Sequence, residues 1–289
     1  METKNKKKKE TENIVAPELE TVDQTLTEKE SDKTNDDDNN PICGSSITVV
    51  IPYSASQAQG NELRYALRSW QKNFKVPHKI VIIGEREEWF KDEELTFIEL
   101  EQLSENPQVN TIEALKAAIA SDAVSEVFVW SNDDIYLVAP VGIEHIILPK
   151  YLGLLNPEIY SGHYRMNMEH TISLLAENDL PILNYGTHTP VIYEKEKLVE
   201  LLEKYPEVST GDYVFSSLYF NHFIQIAPIK LDWKTDGFLL PVVSQEPDAE
   251  KFDKIIKNKV FLNNSVSGYS SFLEERLKDL FPEESIYEK

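Results

Sequence analysis

A chain of 289 residues with 41% hydrophobic and 10% aromatic content can build one large domain or two small ones. Its formal charge of −21, from 29 basic and 50 acidic residues, would repel a phosphate backbone, so no nucleic acid is expected as a partner. No apolar run reaches the roughly 18–20 residues of a membrane span. The single Cys43 excludes an intrachain disulfide and a cysteine-rich zinc site, so a reducing, cytoplasmic setting is expected.

Residues 1–44 read as a disordered charged tail, rich in Lys, Glu, Asp, Thr and Asn and lacking aromatics. The lysines of "METKNKKKKETEN" precede no apolar segment, so this stretch does not resemble a secretory signal. A single domain is expected over residues 45–289. It opens with "SSITVVIPYS", where Ile47 to Ile51 form the continuous apolar run of a buried parallel strand. "NELRYALRSWQKNF" places Leu63, Leu67, Trp70 and Phe74 at helical spacing, with Arg64 and Arg68 one turn apart on a neighbouring face. "HKIVIIGE" reads as a second buried strand and "LTFIEL" as a third, at the edge. "VNTIEALKAAIAS" is a helix, and "SEVFVWSNDD" brings the next strand. Strands alternating with helices imply an α/β, doubly wound, mostly parallel sheet whose ligands bind beyond the carboxyl ends of the strands.

The second half is less regular and predominantly helical. "MNMEHTISLLAEND", "KEKLVELLEKYPEV" and "GDYVFSSLYFNHFIQ" read as helices, and the segment from Lys259 onward as a strand, a polar turn and a final helix. Neither GxGxxG nor GxxxxGKS occurs, which disfavours a dinucleotide-binding dehydrogenase and a P-loop NTPase.

Three groups of residues can carry chemistry. Asn132-Asp133-Asp134 follows a buried strand, and hard divalent cations take one or two carboxylates together with substrate phosphates. The same three residues also suit an Asx-type turn between strands. His188, in "NYGTHTP", can act as a general base or serve as an ordinary surface histidine. Arg64 and Arg68 can clamp a phosphate, or pair with Glu62 and other acids on the helix surface.

"GNELRYALRSWQKNF", "KIVIIGEREEWF" and "VFVWSNDDIYLVAPV", in that order, resemble the second conserved block of the Stealth family. Its members are capsular-polysaccharide and N-acetylglucosamine-1-phosphate phosphotransferases. "THTPVIYEKEKL" is similar to their following His-x-Pro block. The resemblance runs patchily over about residues 47–288 and implies a GT-A-type, nucleotide-diphospho-sugar transferase fold using Mg²⁺ or Mn²⁺. It implies that Asp133 and Asp134 are metal or donor contacts, that Arg64 and Arg68 contact donor phosphate, and that His188 deprotonates the acceptor hydroxyl. Asn61, Asn132 and Asn184, which border these motifs, complete the expected substrate contacts. The implied partners are a nucleotide-sugar donor and a glycan or polysaccharide acceptor.

Two departures stand out. The family opens with a block like "DAVITWVDGSD", where this chain has "SSITVVIPYSASQAQ". The family's "NDN" near the end is here Asn263-Asn264-Ser265, without the acid. Sugar transfer, with cleavage at the sugar C1–O bond, is therefore kept beside sugar-phosphate transfer. A non-catalytic sugar-binding or assembly module of the same fold, of which a virus-encoded protein is one form, is the alternative.

Overall fold

The computed structural model describes residues 46–223, 227–232 and 234–289. The chain divides into Met1–Asn40 and Pro41–Lys289, and everything described belongs to the second unit. The expected charged tail, and Cys43 with it, lies outside the described residues.

The main sheet begins with β1 (Ile47–Tyr53), followed by α1 (Glu62–Asn73), β2 (His78–Gly84), β3 (Leu95–Glu99), α2 (Pro107–Ala120) and β4 (Val127–Trp130). β1 is parallel to β2 and β4, and β2 to β3. Side chains of a strand alternate between faces, and the two faces have different partners here. Val50, Val81, Phe128 and Trp130 pack with Ile112, Leu115 and Ala118 of α2. Val49, Ile51, Ile80 and Val129 pack with Leu63, Leu67 and Trp70 of α1. Burial on both faces explains the unbroken apolar runs of these strands.

β5 (Ile135–Leu137) leaves that sheet. The chain continues through β6 (Lys150–Tyr151), α3 (Gly162–Glu177), β7 (Val191–Glu194), α4 (Lys195–Lys204), α5 (Phe215–His222), β8 (Ile229–Lys230), β9 (Leu239–Val242), α6 (Ala249–Ile255), β10 (Phe261–Asn264) and α7 (Ser271–Leu280). β7 joins the main sheet antiparallel to β4, giving the order β3-β2-β1-β4-β7. β5 pairs with β10 and β10 with β9 in a second, three-stranded sheet, and β6 pairs with β8. The second sheet packs on Tyr65 and Ala66 of α1 and on Leu273 and Leu277 of α7.

This is the expected α/β architecture, a mostly parallel sheet flanked by helices, with β3 at its edge. α3 starts four residues before the expected helix, whereas two later helices are shorter than the sequence suggests. α4 stops before Pro206, whose ring cannot continue a helix. α5 covers only eight residues, of which Phe215, Tyr219 and Phe220 pack around Tyr193.

Candidate active site

From β1 the chain moves outward through β2 to β3, then returns to the other side of β1 as β4. Open α/β sheets bind ligands where the strand order reverses, outside the carboxyl ends of the strands. A cavity of about 290 Å³ lies there, bordered by Pro52, Tyr53 and Ser54 after β1, Asn132–Asp134 after β4, and the first turns of α2. Gly84 closes β2 at a φ of 146°, where any Cβ would strike the carbonyl oxygen of Tyr53. Only glycine permits that close approach at the cavity edge.

The "SNDD" stretch is both a metal-site candidate and a connection between strands, and the two strands belong to different sheets. Asp133 and Asp134 are half-buried beside the cavity, and Oδ1 of Asp134 is fully buried without a hydrogen-bond partner. Burial raises the pKa of Asp133, and Glu62 adds to it. Burial raises Asp134 further, with repulsion from Asp133 and Glu62.

Glu62, the first residue of α1, is the third carboxylate. It is held by the backbone N–H of Gln59 at 2.7 Å and by Nδ2 of Asn264 at 2.6 Å. Asn264 in turn accepts a hydrogen bond from the Tyr136 hydroxyl at 2.9 Å. The cavity thus presents Glu62, Asp133 and Asp134, and among the described residues no Lys or Arg lines it. Among the described residues no group of three His, Cys, Asp or Glu side chains is arranged to hold a metal. What the chain offers is two neighbouring carboxylates, one with an unsatisfied buried oxygen. That donor set fits a hard divalent cation whose remaining ligands are water and substrate oxygens.

A second cavity, of about 140 Å³, adjoins the first: Thr111 and Asn132 line both. His188 stands here, in the left-handed region at φ 50°, between Thr187 and Thr189, whose hydroxyls bond to each other at 2.9 Å. Its ring is exposed on the cavity side and bonds to no described residue. Neighbouring protein atoms partly desolvate the imidazolium and lower its pKa, which favours the proton-accepting form.

Asp133, Asp134, Asn132 and His188 therefore share one cleft, and the remaining expected contacts do not enter it. Arg64 and Arg68 both bind Glu288: Arg64 Nη1 at 3.0 Å, Arg68 Nε and Nη2 at 2.8 Å each. The Arg64 guanidinium also stacks 4.2 Å from the Trp89 ring centre. At 100° per residue both arginines project about 200–240° around α1 from Glu62. They face the C-terminal segment, where Glu288 holds both guanidinium groups, and neither lines the two cavities. Asn61 donates to Glu274 at 2.7 Å and faces α7. Asn184 is buried and accepts from the N–H of Gly186 at 2.9 Å, shaping the loop that carries His188.

No family model matches the chain, and no curated protein matches it. Among solved structures it is similar to a glycosyltransferase involved in the glycosylation of the major capsid of PBCV-1. The identity is 12% and the TM-score 0.36, over 82% of this chain and 98% of that one. Among the described residues no helix is long and apolar enough to cross a membrane.

Proposed function

We propose that the chain is a metal-dependent transferase that moves a sugar or a sugar-1-phosphate from a nucleotide sugar to a glycan hydroxyl. One observation carries the reading: among the described residues three carboxylates and no Lys or Arg face a cavity at the switch point of the sheet, which adjoins the cavity of His188. A diphosphate entering that cavity meets only negative charge, so a cation must accompany it. Asp133 and Asp134 would hold Mg²⁺ or Mn²⁺, and the ion would neutralise charge on the donor diphosphate.

The chain's own residues supply the rest. Asn132, common to both cavities, borders the point where the nucleotide part of a donor ends and its sugar begins. Asn264 and Gln59 fix the Glu62 carboxylate beside the aspartates, so that it is not free to swing into solvent. His188 accepts the proton of an acceptor hydroxyl as that oxygen attacks. Attack at phosphorus transfers the sugar-1-phosphate, and attack at C1 transfers the sugar alone. The resemblance to sugar-phosphate transferases favours the first outcome, and the two departures from it are the reason to keep the second beside it.

Calorimetry with UDP, GDP and CMP, each with Mn²⁺ and with EDTA, tests the site. Metal-dependent binding of one nucleotide is expected. ³¹P NMR of products from the matching nucleotide sugars then separates release of nucleoside monophosphate from release of diphosphate. Absence of binding to all three, or binding equally tight in EDTA, would refute the assignment.

A further inference from the structure

Among the described residues only Asp179 and His188 hold a positive φ without being glycine. Asp179 lies just past the end of α3, where helices commonly close on a left-handed residue. His188, at 50°, ends no helix, so its neighbours must impose the conformation.

The chain before it is tied down in steps. Asn184 donates its N–H to the Gly153 carbonyl at 2.8 Å, Tyr185 to Ser217 Oγ at 3.0 Å, and Gly186 to Asn184 Oδ1 at 2.9 Å. The Thr187 N–H reaches the Tyr185 carbonyl at 2.8 Å. Beyond His188, Pro190 has a fixed φ and Val191 opens β7 opposite Trp130. Among the described residues, the one hydrogen bond that joins these halves across His188 runs between the Thr187 and Thr189 hydroxyls, 2.9 Å apart. Both threonines are buried, and the histidine between them is exposed. Each hydroxyl has only the other as a partner among the described residues, so removing one leaves its mate buried and unpaired.

We propose that Thr187 and Thr189 are positioning residues: their hydroxyl pair clamps the loop in its left-handed turn and presents the His188 imidazole to the second cavity. The clamp rests on the loop geometry, and its effect on turnover rests on the transferase reading with His188 as the base. A loop relaxed to ordinary backbone angles would carry the imidazole away from the cavity. A displacement of about 1 Å at a reacting group costs up to roughly 10²-fold in rate. Tyr164, Tyr185 and Tyr193 are the other titratable side chains on this wall, and burial raises all three, so none ionises where His188 titrates.

Three measurements test the clamp. Thr187→Val and Thr189→Val keep the branched shape and delete one hydroxyl each. In these variants kcat should fall roughly 10–100-fold with KM within about a factor of two, and Thr187→Ser and Thr189→Ser should recover most of the loss. NMR titration of the His188 ring, assigned with His188→Gln, should move up from its lowered value toward about 6.5 in the valine variants, as the imidazole becomes solvated. Independently, His188→Gly should melt above His188→Ala, because glycine alone takes a positive φ without steric cost. A wild-type titration in both valine variants, the reverse melting order, or an unchanged kcat in an active enzyme would overturn the proposal. If the wild type turns over no nucleotide sugar, the transferase reading falls, while the titration and the melting order still decide the clamp.

Discussion

Glu288, the penultimate residue, offers the sharpest test of how the fold is held. Its side chain is fully buried, accepting from Arg64, from two nitrogens of Arg68, and from the N–H and hydroxyl of Ser285 at 2.9 Å each. Burial alone would raise its pKa; the bonds from Arg68 and Ser285 outweigh that and pull it down to about 2. Lowering a carboxyl from 4.5 to about 2 is worth about 3 kcal/mol at neutral pH. Breaking a buried pair costs about 3–5 kcal/mol, and the partial exposure of Arg64 and Arg68 moves the expectation to the lower end. Glu288→Gln keeps the shape and removes the charge. Urea unfolding followed by tryptophan fluorescence should therefore show a loss of about 3 kcal/mol at pH 7, or roughly 6–12 °C in Tm. Because the folded pKa is depressed, the contribution is complete above the unfolded value of about 4.5 and is lost as pH falls through about 2. At pH 3 wild type and variant should differ by only about 1 kcal/mol. A difference below about 1 kcal/mol at pH 7, or one unchanged at pH 3, would refute the clasp.

The cleft gives predictions of the opposite sign. Asp134→Asn should stabilise the metal-free chain at pH 8, because a desolvated carboxylate crowded by Asp133 and Glu62 opposes folding. The same variant should lose Mn²⁺-dependent nucleotide binding; thermal melts with EDTA and with Mn²⁺ plus UDP read both effects. In wild type without metal, the raised Asp133 and Asp134 values mean that stability contributed by these two groups falls as pH rises above about 4. Melts at fixed ionic strength, compared with Asp133→Asn/Asp134→Asn, isolate that slope. His188→Ala should leave nucleotide affinity within a factor of two and reduce turnover by roughly 10²–10⁴, as expected for loss of a general base. Unchanged turnover would remove His188 from the chemistry.

The parts of the site legible in the sequence are those set by one strand and its end. "VFVW" must be buried because it is apolar without interruption, and "SNDD" must follow it at the carboxyl edge. Spacing alone could not assign Arg64 and Arg68. An (i, i+4) pair is certain to share a face, but the face is chosen by whatever packs there, in this case a residue 220 positions further on. Glu62 and Asn264 were illegible for the same reason: their hydrogen bond joins the start of α1 to the end of β10, across 202 positions. The "NNS" segment that departs from the sugar-transferase pattern nevertheless reaches the cavity, with Asn264 as an amide that orients a carboxylate. An acid at that position would add a fourth negative charge beside Glu62, Asp133 and Asp134. An amide donates instead, holding Glu62 in place without adding negative charge to the cavity. On this argument Asn264→Asp should weaken the hold on Glu62 more than it strengthens metal binding.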